Sequence, residues 1–171
     1  TIANGTLWFL HHSLWDLPRR PRFDAQWHRA WHAYEILNTT MAEQIVASAP
    51  ANAVVLVQDY HFALMAPELV DRRPDLDLVH FSHTPFAGPE SITVLPTGPA
   101  ATYLSGMAAY GACGFHTERW RRRFLQSCEE LGVAAPRTFV SPLPPDAAGI
   151  RELAESTAGT DNLAALEERL A

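Results

Sequence analysis

Apolar residues in the first third of the chain recur with helical spacing. Trp27, Trp31, Tyr34, Leu37, Met41 and Ile45 stand three or four positions apart, which predicts one amphipathic helix from Asp24 to about Ala47. Pro21 and Pro50 bound it. The pattern then changes: Ala53-Val54-Val55-Leu56-Val57 is continuous and β-branched, the mark of a strand buried on both faces. A short helix is expected from about Phe62 to Val70, closing before Pro74, and a second buried strand from Leu76 to Ser82. After a Pro- and Gly-containing loop, Thr84 to Glu90, helical stretches are expected around Ile92 to Leu95 and Ala100 to Tyr110. Ala112 to Phe115 reads as a short strand, Thr117 as the N-cap of a helix reaching about Leu131, and Arg137 to Leu143 as a further strand. Strands alternating with helices, with continuous apolar strands, define an α/β chain: a Rossmann-like parallel sheet with helices on both faces. Ser141-Pro142-Leu143-Pro144-Pro145 reads as a hinge or linker, and the Ala- and Glu-rich tail as one or two surface helices.

Composition narrows the function classes. At 171 residues and 47% hydrophobic the chain can bury one core, at most two small domains, and is not intrinsically disordered. Its net charge of −6 argues against a nucleic-acid partner, because phosphate neutralisation needs a basic surface. All 13 basic residues are arginine, which excludes a Schiff-base or P-loop lysine within this sequence. Cys113 and Cys128 are too few for a disulfide framework or a four-thiolate zinc site. No apolar run approaches the roughly 18 residues of a membrane span, so a soluble, cytoplasmic chain without a membrane partner is expected. It opens at Thr1 directly in a Trp-containing stretch, and an excerpt of a longer polypeptide is expected.

In open α/β sheets, ligands bind beyond the carboxyl ends of the strands. Asp59 and His83 follow two predicted strands directly and would share that edge. A carboxylate there can accept hydrogen bonds from sugar or other hydroxyls, and an imidazole can bond a polar substrate group or exchange a proton. The alternative is local: Asp59 caps the following helix and His83 satisfies loop backbone. His28 and His32 lie four apart on the long helix without the glutamate of an H-E-x-x-H pattern. His61, His80 and His83 form the best local histidine cluster, yet an extended strand would put His80 and His83 on opposite faces, so no metal is expected. The run Arg119, Arg121, Arg122 and Arg123 reads as a solvated helix face. No G-x-S-x-G, G-x-G-x-x-G or Walker pattern is present.

Four motifs in order carry something more specific: Asn4-Gly5-Thr6-Leu7-Trp8, Gln58-Asp59-Tyr60-His61, His83-Thr84-Pro85-Phe86 with Glu90 and Leu95-Pro96, and Gly114-Phe115-His116-Thr117. Over about the first 130 residues the chain resembles the acceptor-side part of the trehalose-6-phosphate synthases, a retaining glycosyltransferase family of GT-B fold. The resemblance implies an N-terminal half of a GT-B enzyme. Residues 1–143 would form its Rossmann-like acceptor-side domain, incomplete at the N-terminus, and 144–171 a linker and helical segment leading toward a nucleotide-sugar domain. It implies transfer of glucose from UDP- or GDP-glucose to glucose 6-phosphate with retention, the nucleotide sugar being a substrate and no cofactor or metal being needed. The partners would be the nucleotide sugar and the sugar phosphate, with a homo-oligomer left open. By motif position, Trp8 would line the acceptor pocket near the sugar phosphate, Asp59 would hold acceptor hydroxyls, His83 would stand beside the donor glucose, and Thr84 would line the same wall. His83 and Asp59 would be the catalytic pair. The segment alone is expected not to turn over. Two alternatives stay open: a pseudo-glycosyltransferase coupling cyclitol units, and a non-catalytic homologue that binds sugar phosphate.

Overall fold

A computed structural model describes residues 2–15 and 22–170. Pro21, expected to precede the long helix, lies outside them. The chain divides into two compact units, Thr1–Ser141 and Pro142–Ala171.

The first unit opens with a π-helical turn, Ala3–Leu7, that runs into α1 (Trp8–His11). Helix α2 spans Ala25–Ser48. Its start is fixed by Asp24, whose Oδ1 accepts from the backbone N–H groups of Gln26 and Trp27 at 3.0 and 2.9 Å, satisfying donors that an open helix end leaves unpaired. Trp31, Tyr34, Asn38 and Ala42 form its buried stripe, so the aromatic spacing reports core packing. Its far end is held by Arg73, whose guanidinium donates to the carbonyls of Val46, Ala49 and Pro50 and pairs with Asp75 at 2.8 Å. That cation sits where the helix dipole favours positive charge.

Strand β1 (Val54–Gln58) leads through a 3-10 turn (Tyr60–Phe62) to α3 (Ala66–Arg72) and β2 (Asp77–Ser82). The chain continues through α4 (Pro89–Ile92), α5 (Thr97–Ala108), β3 (Ala112–Phe115), α6 (Glu118–Glu130) and β4 (Arg137–Val140). Thr117 caps α6 as expected, its hydroxyl accepting from Trp120 N–H. Helix α4 starts at Pro89, three residues before the expected Ile92. Proline at a first helical position has its φ already set and lacks only a donor the helix would not use.

All four strands are parallel, in the order β1-β2-β3-β4. Val57, Leu78, His80, Cys113 and Phe115 are buried and belong to the row of side chains that joins the core. The expectation that Ala53–Val57 is buried on both faces is corrected: Val54 and Leu56, on the opposite row, are 61% and 70% exposed. The strand order explains why. Right-handed crossovers that always step to the next strand in the same direction deliver their helices to one side of the sheet, so among the described residues the helices expected on both faces cover the face that holds Val57.

The second unit consists of α7 (Ala147–Glu155) and α8 (Thr157–Leu170). Asp146 starts α7 by accepting from Gly149 N–H at 3.0 Å.

Candidate active site

The carboxyl ends of β1, β2 and β3 bring Asp59, His83 and His116 to one edge of the sheet. Asp59 follows β1 with φ 58° and ψ 175°, a combination that is essentially reserved for glycine. Its neighbours hold it there. Its N–H donates to Phe81 O at 2.9 Å, and its own carbonyl accepts from the His80 ring nitrogen Nε2 at 3.0 Å. Its Oδ1 accepts from His83 N–H at 2.8 Å and Thr84 N–H at 3.2 Å. Asp59 therefore does not cap the turn that follows it, which has no side-chain cap; the carboxylate reaches across and fixes the loop after β2. No hydrogen bond among the described residues engages Oδ2, so one oxygen stays available to a hydroxyl.

The turn beyond Asp59 is clamped carbonyl by carbonyl. Tyr34 OH donates to Tyr60 O, Asn38 Nδ2 to His61 O at 3.2 Å, and Tyr110 OH to Phe62 O at 2.6 Å, while Asn38 Oδ1 accepts from Leu64 N–H at 3.0 Å. Buried side chains that satisfy consecutive backbone groups leave the turn little freedom. Sequence reading assigned Tyr34 to the core stripe and overlooked Asn38. Its signal was an amide one turn along the apolar face of α2.

His61, His80 and His83 have separate hydrogen-bond partners. His61 Nε2 lies 3.1 Å from Asn4 Oδ1. His80 is fully buried, and burial above all pulls its pKa down to about 4. His83 is exposed and its Nδ1 lies 3.2 Å from His116 Nε2. His116, quoted in a motif but given no role from sequence, completes a chain of contacts: its Nδ1 lies 3.1 Å from Ser141 O. Both rings pack on Phe81, with centroids 4.9 and 5.0 Å away.

Trp8 stands apart from this cluster. It stacks on His12 at 4.3 Å and meets Phe9 edge-on, and no hydrogen bond or ring contact among the described residues joins it to Asp59, His83 or Thr84. Of the arginine run, Arg121 pairs with Glu118 at 2.6 Å. Arg119 and Arg123 line a cavity of about 280 Å³ with His12 and Pro85, on the loop that follows Thr84, and Arg123 is paired with Glu90 at 3.3 Å. His11, behind that loop, accepts from Ala87 N–H at Nδ1 and contacts Tyr103 OH at 2.7 Å through Nε2; burial lowers its pKa to about 3.

Four parallel strands with their connecting helices define a Rossmann-like α/β unit of the kind from which GT-B glycosyltransferases are built. The sequence profile of glycosyltransferase family 20 matches residues 1–141, and the chain belongs to that family. It is 31% identical to a UDP-forming alpha,alpha-trehalose-phosphate synthase of Schizosaccharomyces pombe, over 99% of this chain and 34% of the yeast protein. A validamine 7-phosphate valienyltransferase of Streptomyces hygroscopicus is 28% identical over 76% of this chain and 27% of its own length. Among solved structures, a trehalose-6-phosphate synthase superposes with a TM-score of 0.73 at 27% identity, covering 90% of this chain and 35% of that one. The chain thus spans about a third of the length of these relatives. No helix of the described residues is long and apolar enough to cross a membrane.

Proposed function

We propose that the full-length protein transfers glucose from UDP- or GDP-glucose to glucose 6-phosphate with retention at the anomeric carbon, forming trehalose 6-phosphate or a related phosphorylated glycoside in the cytoplasm. The observation that carries this reading is Asp59, a non-glycine residue held in a glycine conformation at a strand end, in a chain of glycosyltransferase family 20. Strain of this kind persists where the surroundings over-determine it and collects at functional sites.

On this reading the free Oδ2 of Asp59 accepts from acceptor-sugar hydroxyls, while Oδ1 keeps His83 and Thr84 in place. His83 meets a hydroxyl of the donor glucose as positive charge develops in an oxocarbenium-like transition state. Thr84 lines the same wall, and the Trp8 indole N–H offers a donor to the acceptor phosphate. The nucleotide sugar is a substrate on this view, and neither a resident cofactor nor a metal is invoked. The likeness to the valienyltransferase favours one second reading, a pseudo-glycosyltransferase acting on cyclitol units.

The test uses the full-length protein with UDP-glucose or GDP-glucose and glucose 6-phosphate, following nucleotide release and product mass together. A disaccharide phosphate that needs both substrates is the expected product. Saturable binding of glucose 6-phosphate without turnover would move the reading to a sugar-phosphate-binding homologue or to a different acceptor. His83→Ala should lower turnover at least tenfold, the loss of roughly 1.4 kcal/mol of transition-state stabilisation, while leaving the thermal midpoint nearly unchanged. Wild-type turnover in that variant removes His83 from the reaction.

A further inference from the structure

We propose that His116 is a positioning residue that fixes the tautomer of His83, so that His83 presents Nε2 to its ligand as a hydrogen-bond acceptor. The assignment follows from one fixed end of a three-member chain. Ser141 O can only accept, so the His116 nitrogen that faces it, Nδ1 at 3.1 Å, carries the hydrogen. A neutral imidazole has a single N–H, which leaves His116 Nε2 as a lone pair. The His83 nitrogen 3.2 Å away, Nδ1, must then carry its own hydrogen and donate it. The remaining His83 nitrogen, Nε2, is the unprotonated one, and no hydrogen bond among the described residues occupies it.

The chain is anchored at its far end. Ser141 N–H donates to Phe115 O at 2.9 Å, which extends the β3–β4 pairing one residue past β4 and holds the Ser141 carbonyl to the sheet. Phe81 packs on both rings, 4.9 Å from His83 and 5.0 Å from His116, and Trp120 meets His116 edge-on at 6.2 Å. At the other end, Asp59 Oδ1 takes the His83 backbone N–H. His83 is thus oriented through its backbone by a carboxylate and through its ring by a second imidazole. This deepens the proposed function and rests on it for one point only, that the group meeting Nε2 is a sugar hydroxyl. An acceptor nitrogen selects the hydrogen of that hydroxyl, and as the hydrogen bond strengthens it leaves more electron density on the hydroxyl oxygen beside the developing cation.

Two measurements on the full-length protein separate the inference from the reading it rests on. Two-bond nitrogen–proton correlation spectra of the 15N-histidine-labelled chain at neutral pH report which ring nitrogen of each histidine carries the proton; the His83→Gln and His116→Gln variants assign the signals. A protonated Nδ1 and a bare Nε2 on His83 are expected, with that preference lost in His116→Phe. A His83 protonated on Nε2 in the unsubstituted protein overturns the proposal, whatever the activity. In turnover, His116→Phe should lower kcat about tenfold with little change in acceptor KM, the scale of one misaligned hydrogen bond. His116→Gln, whose amide can accept from His83 and donate to Ser141 O, should restore most of that loss. If the tautomer is fixed as assigned but no glucosyl transfer is found, the positioning stands and the substrate reading fails. An unchanged His83 tautomer in His116→Phe shows that His116 does not set it, and defeats the proposal.

Discussion

Asp59 does two jobs that a substitution can pull apart. Its backbone sits at φ 58°, which penalises any Cβ, and its carboxylate holds the loop at His83 and Thr84. Asp59→Ala keeps the penalty and loses the bonds; Asp59→Gly loses the bonds and the penalty. We expect the glycine variant to be more stable than the alanine variant by about 1 kcal/mol in denaturant unfolding, with both equally impaired in acceptor binding. Equal stability of the two would mean that the backbone relaxes out of this conformation at no cost. The position of Asp59 and His83 was legible in the sequence because strand ends can be read from where apolar runs stop. The backbone conformation of Asp59 was not, since it is imposed by His80 and Phe81 from the neighbouring strand. His116 was equally hidden: it has a role only because Ser141, 25 residues later, returns to the same edge.

Among the elements, β3 has a tight sequence requirement at Gly114. A Cβ on Gly114 would run into the rings of Phe81 and Phe139, the aromatics that cover this part of the sheet and, through Phe81, support both site histidines. Gly114→Ala should destabilise the first unit by about 1–3 kcal/mol and broaden or shift the ring signals of His83 and His116. Gly5→Ala, where a Cβ in the opening helical turn meets nothing within 4 Å, is the matched control and should be neutral to stabilising by up to about 1 kcal/mol. A Gly114→Ala protein as stable as the control would show that the two rings can move apart freely. Element types were readable because periodicity separates helix from strand. Their ends were less so, as at α4, where Pro89 and Glu90 were assigned to a loop although a proline can open a helix. The exposure of Val54 and Leu56 was unreadable in principle from the apolar run: continuous hydrophobicity says that a strand can be covered twice, while the strand order decides whether it is.

For the whole molecule, two buried imidazoles set the acid limit. His11 and His80 are held neutral by burial, with pKa values near 3 and 4 against an ordinary 6.5. Unfolding exposes both, so below about pH 6.5 the unfolded chain binds protons that the folded one refuses. Stability is therefore full above that value and falls as pH drops toward 4, by up to about 1.4 kcal/mol per pH unit for each histidine. Chemical denaturation between pH 7 and 4.5 should show a falling midpoint with up to about two protons taken up on unfolding. A His80→Gln variant that keeps the wild-type pH slope would remove His80 from this linkage. The spacing of the site along the chain also bears on how the protein is made. Asp59 can engage the loop as soon as Thr84 has been synthesised, but the His116 ring finds its acceptor only once Ser141 has left the ribosome. At translation rates of about 5–20 residues per second, the nascent chain carries Asp59, His83 and Thr84 for several seconds before the last backbone carbonyl that orders the histidine pair exists.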